Sequence, residues 1–207
     1  PPIGFSYMPT HQYLRVNYHA TDRTLTLIDS NTREIYVPLL TDVDGYLFNG
    51  WSPACRYVMA TVWFEDVSYL IAWEAETGRE VFRIQRVIYN RMMQWSPDER
   101  YVIARVYDDE RRIANMVVDT DTRQYFIITW LYSILWDTPN QRLYAIHLRE
   151  RDAVHAYQLP SGNYLGMYAP QNREERILVQ SMRLSDDRTH LIYYTSSARG
   201  TNLDGNL

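Results

Sequence analysis

The side chains able to do chemistry are few in this chain, and their spacing decides what they can do. Five histidines, His11, His19, His147, His155 and His190, stand at positions that put no two of them at ligand spacing on one strand face, so zinc is not expected. Cys55 is the one cysteine and has no histidine near it in sequence to draw off its proton, which argues against a thiolate nucleophile. No Gly-x-Ser-x-Gly elbow occurs. Asp42-Val43-Asp44-Gly45 opens like a calcium loop but lacks the later acidic ligands and the distal glutamate. Asp108-Asp109-Glu110 lies beside Arg111 and Arg112 and reads as a solvated turn, while Asp119 and Asp121 read as turn caps. The expectation is therefore no catalytic residue, no metal and no cofactor.

Recognition chemistry is better represented. All 21 cationic residues are arginine, and the chain carries 18 tyrosines and 6 tryptophans. Arginine and large aromatics dominate interface energetics because they combine area with directional bonds at low entropic cost. Arg91, Arg111, Arg112, Trp130, Tyr132 and Arg151 all fall in turns or connections and form the expected contact face. Arg105 is the polar outlier, placed in an apolar run where the equivalent positions are Thr61, His147 and Tyr194. A buried guanidinium must be paired, so Arg105 either meets a neighbouring acid or lines a channel and grips a ligand carboxylate. The net charge of -4 offers no field for a phosphate backbone, which excludes nucleic acid as the expected partner. No apolar run reaches the length of a membrane span.

What positions these residues is an internal repeat. Trp51-Ser52-Pro53, Trp95-Ser96-Pro97-Asp98, Trp136-Asp137-Thr138-Pro139 and Leu184-Ser185-Asp186-Asp187 are spaced by about 44, 41 and 48 residues, and a weaker copy sits at Met8-Pro9-Thr10. After each turn comes a run that is apolar on both faces: Tyr57 to Phe64, Tyr101 to Tyr107, Leu143 to Leu148 and His190 to Tyr194. A charged turn, a second run, a short polar turn (Ser30 to Arg33, Glu76 to Arg79, Asp121 to Arg123, Ser161 to Asn163) and a third run follow. With a strand leading into each Trp, the unit is a four-stranded antiparallel meander. Units start near 8, 51, 95, 136 and 184, giving an all-β fold of four complete β-propeller blades and a partial fifth within one domain or domain fragment, 1–207. The recurrent Trp51, Trp95 and Trp136 are expected to pack between blades.

The Trp-Ser-Pro-Asp turn, the apolar strand after it and the Asp-Thr-Asp-Thr-Arg turn at 119–123 resemble the WD-like propeller repeats of the TolB and prolyl-oligopeptidase class. The resemblance implies the blade architecture and no particular chemistry. Ala54-Cys55 stands where that pattern has Asp-Gly, the glycine is missing after Thr32 and Thr122, and the Gly-His and Trp-Asp pairing of the eukaryotic WD repeat is absent. Pro1-Pro2-Ile3-Gly4 is neither a start methionine nor a signal peptide, and the repeat is interrupted at Leu207, so the chain reads as part of a longer protein. The functional expectation is a non-catalytic module that binds a protein or peptide. The alternatives are the propeller domain of a hydrolase or other enzyme with its catalytic part elsewhere, or a secreted structural module. Open sheet edges add an expectation of self-association.

Overall fold

A computed structural model describes residues 13–88, 93–149, 151–169 and 177–197. Strands account for nearly all of the regular structure among them, with one short 3-10 turn at Thr138–Asn140. The chain divides into two compact units, Pro1–Gln124 and Tyr125–Leu207.

The first unit begins with β1 (Leu14–His19), β2 (Thr24–Asp29) and β3 (Ile35–Leu40), a three-stranded antiparallel sheet. The lead strand expected near Met8 lies outside the described residues. The second sheet is complete: β4 (Gly45–Trp51), β5 (Tyr57–Phe64), β6 (Val67–Glu74) and β7 (Glu80–Gln85), hydrogen-bonded in chain order. The third holds β8 (Gln94–Trp95), β9 (Tyr101–Tyr107) and β10 (Ile113–Asp119), and its outer strand β11 (Tyr125–Thr129) gives the order β11-β10-β9-β8. In the second unit β12 (Leu131–Asp137), β13 (Arg142–His147), β14 (Val154–Gln158) and β15 (Tyr164–Tyr168) form the fourth sheet, and β16 (Ile177–Leu184) with β17 (Leu191–Ser197) form the partial fifth.

Strand alternation explains the runs that are apolar on both faces. On β5, Val58, Ala60 and Val62 enter a core with Leu25 and Leu27 of the first sheet, whereas Tyr57 and Met59 enter another with Trp95, Val102, Ala104 and Val106 of the third. The second sheet is thus covered on both sides, which requires hydrophobic residues at odd and even positions alike. Trp95 carries much of that second contact, stacking on Tyr57 at 5.4 Å and 10° and lying 6.2 Å from Phe82. Trp95 and Trp136 are buried and Trp51 is half-buried against its core. Within the second unit Tyr144, Ile146, Val154, Ala156 and Val179 make a further core between the fourth and fifth sheets.

The turns repeat as faithfully as the strands. After the lead strand, the serine side chain accepts the backbone N–H five residues on: Ser52 Oγ from Tyr57 at 3.0 Å, Ser96 Oγ from Tyr101 at 2.8 Å and Ser185 Oγ from His190 at 3.0 Å. Cys55, Glu99, Gln141 and Arg188 take positive φ in these turns. Before each outer strand, the N–H of Arg33, Gly78, Arg123 and Gly162 donates to the carbonyl four residues back, on Asp29, Glu74, Asp119 and Gln158, at 2.8 to 2.9 Å. All four donors lie at φ between 61° and 72°. The glycine missing after Thr32 and Thr122 is therefore replaced in place: Arg33 and Arg123 adopt the left-handed conformation themselves. Three of the outer strands then bulge, β3 at Tyr36 and Leu39, β7 at Val81 and β15 at Leu165, and each bulge bends its strand locally.

Candidate interaction surface

Successive turns of a meander alternate between its two ends, so the β1–β2, β5–β6 and β9–β10 hairpins share one end of their sheets with the links that join one sheet to the next. In the first unit this end is tied together by backbone bonds: Val43 N–H to Arg23 O at 2.8 Å, Arg86 N–H to Ser68 O at 2.8 Å and Tyr107 N–H to Arg86 O at 3.1 Å. Glu65 and Asp66 form a two-residue hairpin with positive φ at both positions, the twist such a turn needs. Asp44 of the calcium-like segment is occupied by protein groups, accepting from Arg23 at 2.5 Å and from the Glu65 N–H at 2.7 Å. Arg23, Asp44, Gly45, Trp63, Glu65 and Asp66 line an open depression of about 500 Å3 here.

The β9–β10 hairpin is closed by its own aspartate. Asp108 accepts the N–H groups of Glu110 and Arg112 at 3.0 and 2.8 Å and the Arg112 Nε at 2.9 Å. The backbone N–H of Arg112, its guanidinium and the Glu110 N–H hold the Asp108 carboxyl below its ordinary value against the opposing effect of desolvation. Arg112 also pairs with Glu110 at 2.8 Å, so its guanidinium is neutralised within the turn. Arg111 sits at φ 59° with its side chain in solvent. Arg86 approaches Asp109 at 3.8 Å. Arg91 lies outside the described residues.

The corresponding end of the second unit is built differently. Trp130 and Tyr132 flank Leu131 at the start of β12, and the β13–β14 hairpin brings Arg149 and Arg151 over them. The Arg149 guanidinium lies 4.8 Å from the Trp130 ring centre, and that of Arg151 3.9 Å from Tyr132. Two backbone bonds, Leu148 N–H to Trp130 O and Val179 N–H to Arg151 O, both at 2.5 Å, fix the hairpin against its neighbours. Trp130 is half-buried and Tyr132 and Arg149 are exposed. The expected residues Trp130, Tyr132 and Arg151 are thus brought together, and Arg149 joins them. Nothing in the local sequence shows that this hairpin folds over Trp130, so Arg149 carries no signal there beyond that of a turn charge.

The column of Arg105 diverges position by position. Thr61 is buried and donates to Asn49 Oδ1 at 2.9 Å. Arg105 meets no carboxylate among the described residues; its Nε is buried without a partner, beside the cross-strand Asn115, whose amide is fully buried and also unpaired. His147 Nε2 lies 2.8 Å from the Tyr157 hydroxyl and its ring is 4.4 Å from that of His155, whose Nδ1 is 3.3 Å from the Tyr164 hydroxyl. Spacing along one strand could not reveal this pair: the two histidines meet across the β13–β14 hairpin, where Ala145 faces His155. Among the described residues no three His, Cys, Asp or Glu side chains converge as a metal site, and no helix is long and apolar enough to cross a membrane.

The opposite end of the sheets spends its polar groups on its own backbone. Asp119 accepts Arg100 at 3.0 Å and the N–H groups of Asp121 and Thr122, and although burial opposes ionisation these donors hold its carboxyl below the ordinary value. Asp29, Ser52, Ser96, Ser161 and Ser185 are engaged in the same manner.

A meander of four short antiparallel strands, repeated with the same turns, is the pattern of a β-propeller blade. No protein-family model and no curated protein matches the sequence. Solved structures similar to the chain include the β-propeller domain of Cps50 (Swd1) from Myceliophteria thermophila (13% identity, TM-score 0.45, 87% of this chain and 58% of that one). TolB from Acinetobacter baumannii is similar at 13% identity and TM-score 0.44, over 87% of this chain and 46% of that one. The dihydro-heme d1 dehydrogenase NirN in complex with DHE is similar at 14% identity and TM-score 0.47, over 89% of this chain and 40% of that one. The chain spans roughly half the length of these structures.

Proposed function

We propose that residues 1–207 form a propeller domain or a segment of one, with no chemistry of its own, that binds an acidic stretch of another protein or peptide at the hairpin end of its sheets. The observation that carries this reading is the pair of guanidiniums lying over aromatic rings, Arg149 over Trp130 and Arg151 over Tyr132. A guanidinium attracted to a ring face keeps N–H groups that can take a carboxylate in two-point fashion. Side chains already ordered in the free protein lose less entropy on binding. Arg111, exposed on the β9–β10 hairpin, is a further cation at the hairpin end of its own sheet.

Panning a random peptide display library on the full chain, followed by calorimetric titration of the selected peptides, tests the reading. Selected sequences should be enriched in Asp and Glu, and Trp130→Ala, Tyr132→Ala or Arg151→Ala should each weaken their binding by about 1–2 kcal/mol, as for central interface residues. Thr32→Ala and Ser161→Ala should leave it unchanged. Selected peptides without acidic enrichment, or the reverse ranking of variants, would place the binding surface elsewhere. Self-association through open edges belongs to a different surface.

A further inference from the structure

Outer strands of a blade end in a row of unpaired backbone N–H and C=O groups, and proteins guard such rows with charge, proline or distortion. β3 carries Pro38, which has no N–H, and two register shifts. β7 carries Glu80 and Arg83, paired at 2.7 Å. β15, Tyr164-Leu165-Gly166-Met167-Tyr168, has neither charge nor proline, and Tyr164, Leu165, Met167 and Tyr168 are 54%, 48%, 58% and 46% exposed. It is the last strand of its sheet, with no neighbour beyond it among the described residues.

The order of these five residues is symmetric about Gly166: an aromatic, a large aliphatic, glycine, a large aliphatic, an aromatic. A twofold interface sets each residue against its mirror position in the other copy, so antiparallel pairing centred on Gly166 puts Leu165 opposite Met167 and Tyr164 opposite Tyr168 with no charge repelled. Gly166 has φ +132°, and a Cβ built on it would meet no atom within 4 Å. Glycine in a strand with open space around it marks a place where another backbone can come close. The bulge at Leu165 lies one residue from the twofold, where Leu165 of each strand faces Met167 of the other. β11 is equally uncharged but lacks the symmetry, since pairing about Ile127 would set Tyr125 against Thr129.

We infer that β15 is a self-recognition edge: two copies of this chain join by antiparallel pairing of their β15 strands about Gly166. Five residues a side make a small interface, so the dimer forms with rising concentration and dissociates on dilution.

Sedimentation of the full chain over a range of concentrations reads this directly, with circular dichroism confirming that each variant folds. The wild type should dimerise. Met167→Lys should raise the dissociation constant by about tenfold or more, and adding Leu165→Glu to it should restore most of the affinity, because each new lysine then faces a glutamate. Hydrogen exchange supplies a second reading: β15 amides should become more protected as concentration rises while β7 amides do not. A wild type that stays monomeric, a double variant no tighter than Met167→Lys, or a dimer dissolved by Ile127→Lys and not by Met167→Lys would each overturn the inference.

Discussion

Replacing Arg123 by glycine should stabilise the protein although it removes a whole side chain. Four turns of identical hydrogen-bond geometry put a residue in the left-handed region; two use Gly78 and Gly162, and two use Arg33 and Arg123 at φ 64° and 61°. That conformation costs a residue with a Cβ about 1–2 kcal/mol. Glycine costs about 0.4–1 kcal/mol more in unfolded-chain entropy. Neither Arg33 nor Arg123 makes a hydrogen bond or ion pair through its side chain among the described residues, and both are exposed, so nothing else is lost. The balance is a gain of about 0.5–1 kcal/mol per turn, and about twice that for the two together because they lie in different sheets. For a chain of this length that is about 2–4 °C in Tm per kcal/mol, readable by thermal and urea unfolding. The reciprocal change, Gly78→Ala, should destabilise by more than about 1 kcal/mol, since φ is +69° and the new Cβ would come within 2.7 Å of the Pro38 carbonyl. A destabilised Arg123→Gly together with a neutral Gly78→Ala would show that the turns do not carry the strain assigned to them.

Two further outcomes follow from the packing and the electrostatics. Trp95→Ala should cost about 3–5 kcal/mol by emptying the space between Tyr57 and Phe82, whereas Trp95→Phe should cost less than half as much, because the buried indole N–H has no partner to lose; chemical denaturation distinguishes the two. The hydroxyl of Ser185 at 2.5 Å and the N–H of Thr189 at 3.1 Å lower the Asp187 carboxyl to about 2. A carboxyl lowered by folding stabilises the native state above its unfolded value near 4, and that contribution fades as pH falls from there through about 2. An NMR titration should find this depressed midpoint, and Ser185→Ala should move it up toward the ordinary aspartate value; an unmoved midpoint would mean that the hydroxyl is not the cause.

The sequence by itself determined the repeat, the strands and the turn chemistry, because these depend on residues close together in the chain. Alternation of two fixed which residues of β5 face each side, Ser52, Ser96 and Ser185 fixed their turns through bonds five residues long, and the recurrence of tryptophan marked a packing position. Local logic also placed Asp108 and Asp119 correctly as turn residues. What depended on which strand lies beside which was invisible. His147 and His155 are eight positions apart and meet only through the hairpin register. Arg149 reaches Trp130 only because the β13–β14 hairpin folds over the start of β12. Arg105 has the sequence signature of a buried ion pair, yet its cross-strand neighbour is Asn115 and not an acid. The physical reason is one of range: hydrophobic alternation and backbone capping act within a few residues and leave a local pattern, while side-chain pairs across strands are set by register and packing, where a shift of one residue would give every side chain a different partner.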